Sequence, residues 1–292
     1  MKVLHLDSGR EMRGGQWQAL YLCEGLAARG HEVMLLAREP LLSTARERGI
    51  DARPYRAAGW PAAGIVHAHD AGSHTVAALI AHGPLVVSRR VGFPVRTGPL
   101  SRWKYRRPEH FIAVSEYVRE RLLAAGVPPA RISVVYDGVP EMPEARGGAS
   151  ILAPATDDPR KGSALLAEAA LIGGFQVHYS KSLAADLDDA AVFVYITHQE
   201  GLGSGALLAM AAGVPVVASR VGGLQEVVVD GDTGLLVEND AAAIARAVRR
   251  AAGDREMGRR GRERAAKLFS LDGMVEGTLA VYDRILGCWK PS

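Results

Sequence analysis

Residues Thr197–Gly234 read THQEGLGSGALLAMAAGVPVVASRVGGLQEVVVDGDTG, and their pattern decides what kind of domain contains them. The apolar run Ala191–Ile196 just before them is an expected strand, which delivers the chain to Glu200. A glycine-rich turn follows at Gly201, Gly203 and Gly205, then an expected helix over 205–212 and a second apolar strand at Val214–Ala218. Strand, glycine turn, helix and strand make the βαβ unit of a parallel sheet. A turn of this build exposes backbone N–H groups at a helix N-terminus, where the macrodipole favours an anion. A diphosphate fits over Gly203, Ser204 and Gly205. A tight turn that needs glycine only for its dihedral angles has the same sequence.

The alternation extends in both directions. Strands are expected at Lys2–Leu6, Glu32–Ala37, Gly64–Ala68, Leu85–Ser88, Phe111–Val114 and Ile132–Val135. A glycine turn at Gly14-Gly15 leads into a helix from Gln16 to about Arg29, and Gly30 stops it. Near-continuous apolar strands separated by helices indicate a parallel sheet covered on both faces. The pattern lapses at GVPEMPEARGGAS, residues 138–150, which marks a linker. It restarts with strands at Ile151–Pro154 and Phe175–Tyr179, and three helical stretches close the chain over 240–287. The expected architecture is α/β, with two Rossmann-like, doubly wound domains, 1–145 and 146–292, facing a cleft that holds the ligand.

The chain has 292 residues, 48% of them apolar and 23% charged, which suits a globular protein and excludes a disordered one. No apolar run reaches the ~18–20 residues of a membrane span. The opening MKVLHL is too short for a signal-peptide core, so a cytoplasmic protein is expected. Cys23 and Cys288 alone build neither a disulfide framework nor a metal cage. The formal charge is +3, and its excess lies in one run: Arg89, Arg90, Arg96, Arg102, Lys104, Arg106 and Arg107, with no acid between them. Such a run attracts phosphates, anionic lipid headgroups or nucleic acid, or is a solvated loop.

Glu200, Gly201, Gly203, Ala209-Met210-Ala211, Gly213, Pro215-Val216-Val217, Gly222-Gly223, Glu226 and Thr233-Gly234 together resemble the donor-site signature of the retaining glycosyltransferases of family 4, which have the GT-B architecture. Gly14-Gly15 with its helix, Ile65–His69, Ile112–Ser115, Val134–Val139 and Lys161-Gly162 are similar to further landmarks of that family, in the same order. The resemblance implies that a nucleotide-diphosphate sugar binds the second domain and the acceptor the first. Carried over, Glu200 contacts the donor sugar, the N–H groups of Gly203, Ser204 and Gly205 meet the diphosphate, and Lys161 neutralises it, with Gly201 and Glu226 completing the pocket. The acceptor side falls to Gly14, Gly15, His69, Arg89 and Arg90. The family pattern also has the C-terminal helix cross back to the first domain.

The chain departs from the family at three positions. Leu208 stands where the family has a second Glu for the ribose hydroxyls, Thr156 where it has an Arg, and Arg90 where it often has a His. Arg160, beside Lys161, is the candidate second cation. The second half is also short by a β-α unit. No Asp-x-Asp pair is placed to hold a divalent ion. Asp157-Asp158 and Asp188-Asp189 read as surface or capping acids, so neither a metal nor a cofactor is expected. His67 and His69 alternate on a strand end and are expected on opposite faces, unable to share an ion unless the strand breaks there. Phe93, Trp103 and Tyr105 interleave the basic run as in a single-strand binder, but no nucleic-acid module accompanies them. The run is instead expected to meet an anionic glycan or glycolipid acceptor, or the inner face of a membrane. The expected function is therefore metal-independent, retaining sugar transfer to a cell-envelope glycan or lipid-linked acceptor. The second reading, which Leu208 and Thr156 support, is a catalytically weakened module that binds nucleotide sugar or glycan as a partner subunit. A nucleotide-sugar epimerase would need paired acid/base groups that are not evident here.

Overall fold

The computed structural model describes residues 1–95 and 98–288. Arg96 of the basic run lies outside them. The chain divides into two compact units, Met1–Gly138 together with the segment from Leu271, and Val139–Ser270.

In the first unit the elements run β1 (Lys2–Leu6), α1 (Gly14–Ala28), β2 (Glu32–Ala37), α2 (Leu41–Glu47), β3 (Asp51–Pro54), β4 (Ile65–Ala68), α3 (Ala71–Ile80), β5 (Leu85–Arg89), α4 (Pro99–Arg106), β6 (His110–Ala113), α5 (Glu116–Ala124) and β7 (Ile132–Val134). All pair in parallel, in the order β3-β2-β1-β4-β5-β6-β7. The order reverses between β1 and β4, the switch point where loops at the strands' carboxyl ends open around a ligand. Val3, Leu4 and Leu6 of β1 are buried, as a strand covered on both faces requires. Gly14 and Gly15, expected as a turn, form the first turn of α1. The stretch expected as a basic loop contains α4, which has no buried residue and starts with Pro99 behind Gly98.

The second unit runs β8 (Ser150–Pro154), α6 (Ser163–Gly173), β9 (Val177–Ser180), α7 (Leu183–Asp186), β10 (Ala190–Tyr195), α8 (Ser204–Ala211), β11 (Val216–Ser219), α9 (Leu224–Val227), β12 (Leu235–Val237), α10 (Ala241–Ala251) and α11 (Arg255–Leu268). Its parallel sheet has the order β12-β11-β10-β8-β9, with the switch point between β8 and β10. Between α6 and β10 the only strand is β9, which forms the sheet's edge.

The first unit ends at Gly138, earlier than the expected boundary at 145, because the linker folds onto the second unit. Val139 N–H donates to Phe269 O at 2.8 Å, Ala145 N–H to Ala212 O at 2.8 Å, and Arg146 Nε to Asp188 Oδ2 at 2.7 Å. The last helix, α12 (Leu271–Cys288), belongs to the first unit. Its Met274, Val275, Val281, Tyr282 and Ile285 join the cluster formed by Val3, Leu20, Leu26 and Val33, each buried side chain contributing roughly 1.5–3 kcal/mol. Among the described residues no helix is long and apolar enough to cross a membrane.

Candidate functional site

In the second unit the site is assembled at the carboxyl ends of β8 and β10. After β8 the chain makes a short 3₁₀ turn at Pro159–Lys161, and Gly162 follows at φ +64°. A Cβ on Gly162 would lie 2.6 Å from Ile196 Cγ2, so only glycine lets this turn press against the end of β10. Arg160 O fixes the approach by accepting from His198 N–H at 2.9 Å. Lys161 Nζ then reaches Glu200 Oε2 at 2.6 Å. The same oxygen accepts from Tyr195 Oη at 2.8 Å, and Oε1 accepts from Gly201 N–H at 3.0 Å. The glutamate carboxylate is thus oriented by a cation, a phenol and a backbone amide.

The glycine turn positions this carboxylate against α8. Gly203, at φ +108°, is the residue before the helix, and a Cβ there would meet Leu224 Cδ2 at 2.6 Å. No side chain caps α8, so its first-turn amides, beginning with Ser204 and Gly205, keep their macrodipole potential for an incoming anion. Gly223 N–H donates to Glu200 O at 3.2 Å, and a Cβ on Gly223 would land on the Gly201 carbonyl. Burial, reinforced by Glu200, pushes the Tyr195 hydroxyl well above its ordinary range, so it remains a donor. The sequence gives no sign of Tyr195 as a site residue, since it reads as one more apolar position of a buried strand.

The other candidates for the donor side are Arg160, Thr156, Leu208 and Glu226. Arg160 turns its guanidinium to Asp158, with Nη2 to Oδ2 at 2.6 Å. Thr156 Oγ1 accepts from Asp158 N–H at 3.1 Å. Leu208 is half-buried on α8. Glu226 lies on α9, its carbonyl accepting from Arg264 Nη2 at 2.7 Å.

In the first unit the acceptor-side candidates separate into two groups. Arg90 Nε meets Asp137 Oδ1 at 3.0 Å and Arg90 Nη1 meets His69 Nδ1 at 3.1 Å, while Gly15 lies alongside its Cδ. Asp7, at the end of β1, accepts from Gly9 N–H at 2.8 Å and from Gln16 Nε2 at 3.1 Å, which ties the loop to the start of α1. Burial, and then the neighbouring Asp70, raises the Asp7 carboxyl to about 6. Arg89 points away, its Nη1 donating to Tyr105 Oη at 2.7 Å and its Nη2 to Phe93 O. Within the basic run Lys104 and Arg107 are also spent on the fold, donating to Ala71 O and Ala81 O, both at 2.8 Å.

The histidines differ from expectation. His67 and His69 are not held apart on opposite faces: β4 ends at Ala68, and the two ring centroids are 4.2 Å apart. His5, paired in register with His67, completes a buried cluster and its Nδ1 is 2.8 Å from His69 Nε2. The ligand atoms of these three lie within 4.8 Å of one another. Their surroundings suit neutral, hydrogen-bonded imidazoles more than a divalent ion. Tyr282 Oη and Ser88 Oγ take the two nitrogens of His67 at 2.6 and 2.8 Å, Arg90 adds a cation, and among the described residues no acid joins the group. Burial, assisted by Arg90, holds His5 down at about 3 and His67 and His69 well below their ordinary range.

Comparison with known proteins bears on the family and the fold. The family described as Glycosyltransferase Family 4 matches residues 12–141, and that described as Glycosyl transferases group 1 matches residues 151–254. The chain is 44% identical over 110 residues to the alpha-maltose-1-phosphate synthase of Mycolicibacterium smegmatis, covering 34% of this chain and 28% of the relative. Over 94 residues it is 44% identical to the D-inositol 3-phosphate glycosyltransferase of Geodermatophilus obscurus, covering 32% and 21%. The chain thus spans under a third of the length of these curated relatives. The crystal structure of Anabaena HepE in complex with UDP and glucose is similar in fold, with a TM-score of 0.83 at 15% identity, covering 97% of this chain and 100% of that one. Two parallel-sheet α/β units, of seven and five strands, have the GT-B architecture of these neighbours. The chain belongs to the GT-B glycosyltransferases, with family 4 matching its first half.

Proposed function

We propose that the protein transfers a sugar, with retention of anomeric configuration and without a metal ion, from a nucleoside-diphosphate sugar to a cell-envelope glycan or lipid-linked acceptor. The observation that carries this reading is the Lys161–Glu200 pair set against the uncapped N-terminus of α8. As the bond from the anomeric carbon to the diphosphate oxygen breaks, the departing nucleoside diphosphate keeps the electron pair and gains charge. Lys161 and the amides of Ser204 and Gly205 act on that charge more strongly in the transition state than in the ground state. Before donor arrives, Lys161 and Glu200 neutralise each other; the diphosphate competes for the lysine and leaves Glu200 to the sugar hydroxyls. HepE is described with UDP and glucose, which makes UDP the first nucleotide to try.

The acceptor reading rests on the first unit. Arg102 and Arg106 stand exposed on α4 beside Leu100 and Trp103, which are 77% and 42% exposed, with Val91 and Phe93 outward nearby. A mixed apolar and basic surface of this kind suits the cytoplasmic face of an anionic membrane, where a lipid-linked acceptor would be presented.

The test is a calorimetric panel of UDP, GDP, ADP, CDP and dTDP on wild type and Lys161→Ala, followed by transfer assays on Glu200→Ala. Binding of one nucleotide that weakens in Lys161→Ala, with transfer lost in Glu200→Ala, is the expected result. Transfer unchanged in Glu200→Ala, with nucleotide binding unchanged in Lys161→Ala, would sink the assignment. Nucleotide binding with no turnover would favour the binding-subunit reading, which Leu208 supports because it cannot accept from a ribose hydroxyl.

A further inference from the structure

We propose that the open edge of the second unit's sheet pairs with the same edge of a second copy of this chain, giving a two-fold dimer through β9. Three observations carry it, and none rests on the Lys161–Glu200 pair.

The first is the backbone. Strand β9 closes the sheet order and has β8 on one side only. Ser180 O accepts from Ala155 N–H at 2.7 Å, so Ser180 faces β8. Backbone direction alternates along a strand, so His178 also faces β8, and Val177 and Tyr179 point their N–H and C=O groups out of the sheet. A two-fold axis through His178, perpendicular to the sheet, sets Val177 of one copy opposite Tyr179 of the other. That is a hydrogen-bonded antiparallel pair, which exchanges both N–H···O bonds. Register and symmetry agree without any shift.

The second is the apolar surface beside that edge. A groove of about 470 Å³ runs between α6 and β9, lined by Ala170, Leu171, Phe175, Val177 and Tyr179 among others. Leu171 is 85% exposed and Ile172 53%. The same two-fold axis keeps both copies of α6 on one face of the joined sheet, so these side chains meet their counterparts. Val177 beside Tyr179 is a β-branched to aromatic cross-strand pair, a stabilising combination.

The third is charge, and it selects the occupant. From Gly162 to Ser180 the only Asp, Glu, Lys or Arg is Glu168, in a protein where 23% of residues are charged. Lys181 follows the strand and His178 within it lies 3.7 Å from Asp186, so the apolar patch between them offers little to a strongly charged partner and carries little charge to repel its own copy. The strand also contains no Pro or Lys to keep other strands away. Closed two-fold association is the commonest way such a self-complementary patch is covered.

The experiment is analytical ultracentrifugation of the full chain over a dilution series, with amide exchange followed at both ends of the series. Wild type should sediment at twice the mass of one chain, and the amides of Val177 and Tyr179 should gain protection with concentration. Leu171→Glu places a charge in the patch at a position already exposed, and should halve the mass at concentrations where wild type is dimeric. Tyr179→Pro removes an outward N–H that β8 does not use, and should do the same while circular dichroism stays that of the folded chain. A wild type monomeric at every concentration overturns the proposal. So does a dimer that survives both substitutions, or one in which those two amides remain unprotected.

Discussion

Tyr195→Phe isolates a single hydroxyl in the proposed donor site. The ring remains, stacked on Phe193 at 5.9 Å and under Lys161 Nζ at 5.5 Å, so packing and the cation–π contact are retained. What disappears is the 2.8 Å hydrogen bond to Glu200 Oε2 and the longer one, 3.4 Å, that the hydroxyl accepts from Lys161 Nζ. A hydrogen bond to an ionised group is worth about 1.5–3 kcal/mol, and Glu200 retains Lys161 and the Gly201 amide. Its side chain is 15% exposed, so water recovers part of the loss and about 1–2 kcal/mol is the expected cost. The urea-unfolding transition of the second unit should report that loss. A carboxylate free to rotate also meets the donor sugar less often in its working orientation. If the same energy is lost in the transition state, kcat/KM should fall about tenfold for each 1.4 kcal/mol. Since the hydroxyl keeps its proton far into the alkaline range, the alkaline limb of the pH–rate profile should not move. A variant with wild-type stability and wild-type kcat/KM would refute the role assigned to this phenol.

Other expectations concern the frame around the sites. Gly203→Ala forces a Cβ toward Leu224 at φ +108° and should cost about 2–3 kcal/mol in chemical denaturation; a cost below about 0.5 kcal/mol would contradict the strain argument. Arg90→Met leaves Asp137 buried without its cation and should destabilise the first unit by about 3 kcal/mol, with Asp137→Asn in the same chain recovering part of it. The Asp7 carboxyl ionises at about 6 when folded against 3.8 for an ordinary aspartate. Between those values the unfolded chain has lost the proton and the folded chain still holds it, so stability falls as pH rises through this window, by about 3 kcal/mol in all. The buried histidines act in the opposite sense at acid pH, so the carboxyl is read from the difference between wild type and Asp7→Asn. That difference should be near zero at pH 3 and favour Asp7→Asn at pH 7; equal curves would refute it.

Most of the strand framework was legible because each central strand is an apolar run bounded by turn residues, as at Leu85 and Phe111. The edge strand β3 was not, since Asp51-Ala52-Arg53-Pro54 buries only Ala52 and carries no apolar pattern. Helix α4 escaped for the same reason: it buries nothing, so periodicity has nothing to report. At the proposed donor site Glu200, Lys161 and the glycines stand out in the sequence because local backbone demands and charge leave marks on it. Tyr195 and Asp137 were not, because their roles arise from contacts with residues far along the chain. The histidine cluster shows the same limit. His5 and His67 occupy matching depths on neighbouring strands, yet only the end of β4 at Ala68 brings His69 to them.

The nesting of α12 fixes the order in which the protein is completed on the ribosome. Met274, Val275 and Tyr282 belong to the core whose first members, Val3 and Leu20, emerge earliest. The whole second unit is therefore synthesised, and able to collapse, while the first still waits with an apolar face uncovered and His67 without its Tyr282 partner. A frameshift or stop codon after Ser270 would spare the fold of the second unit and leave the first incomplete.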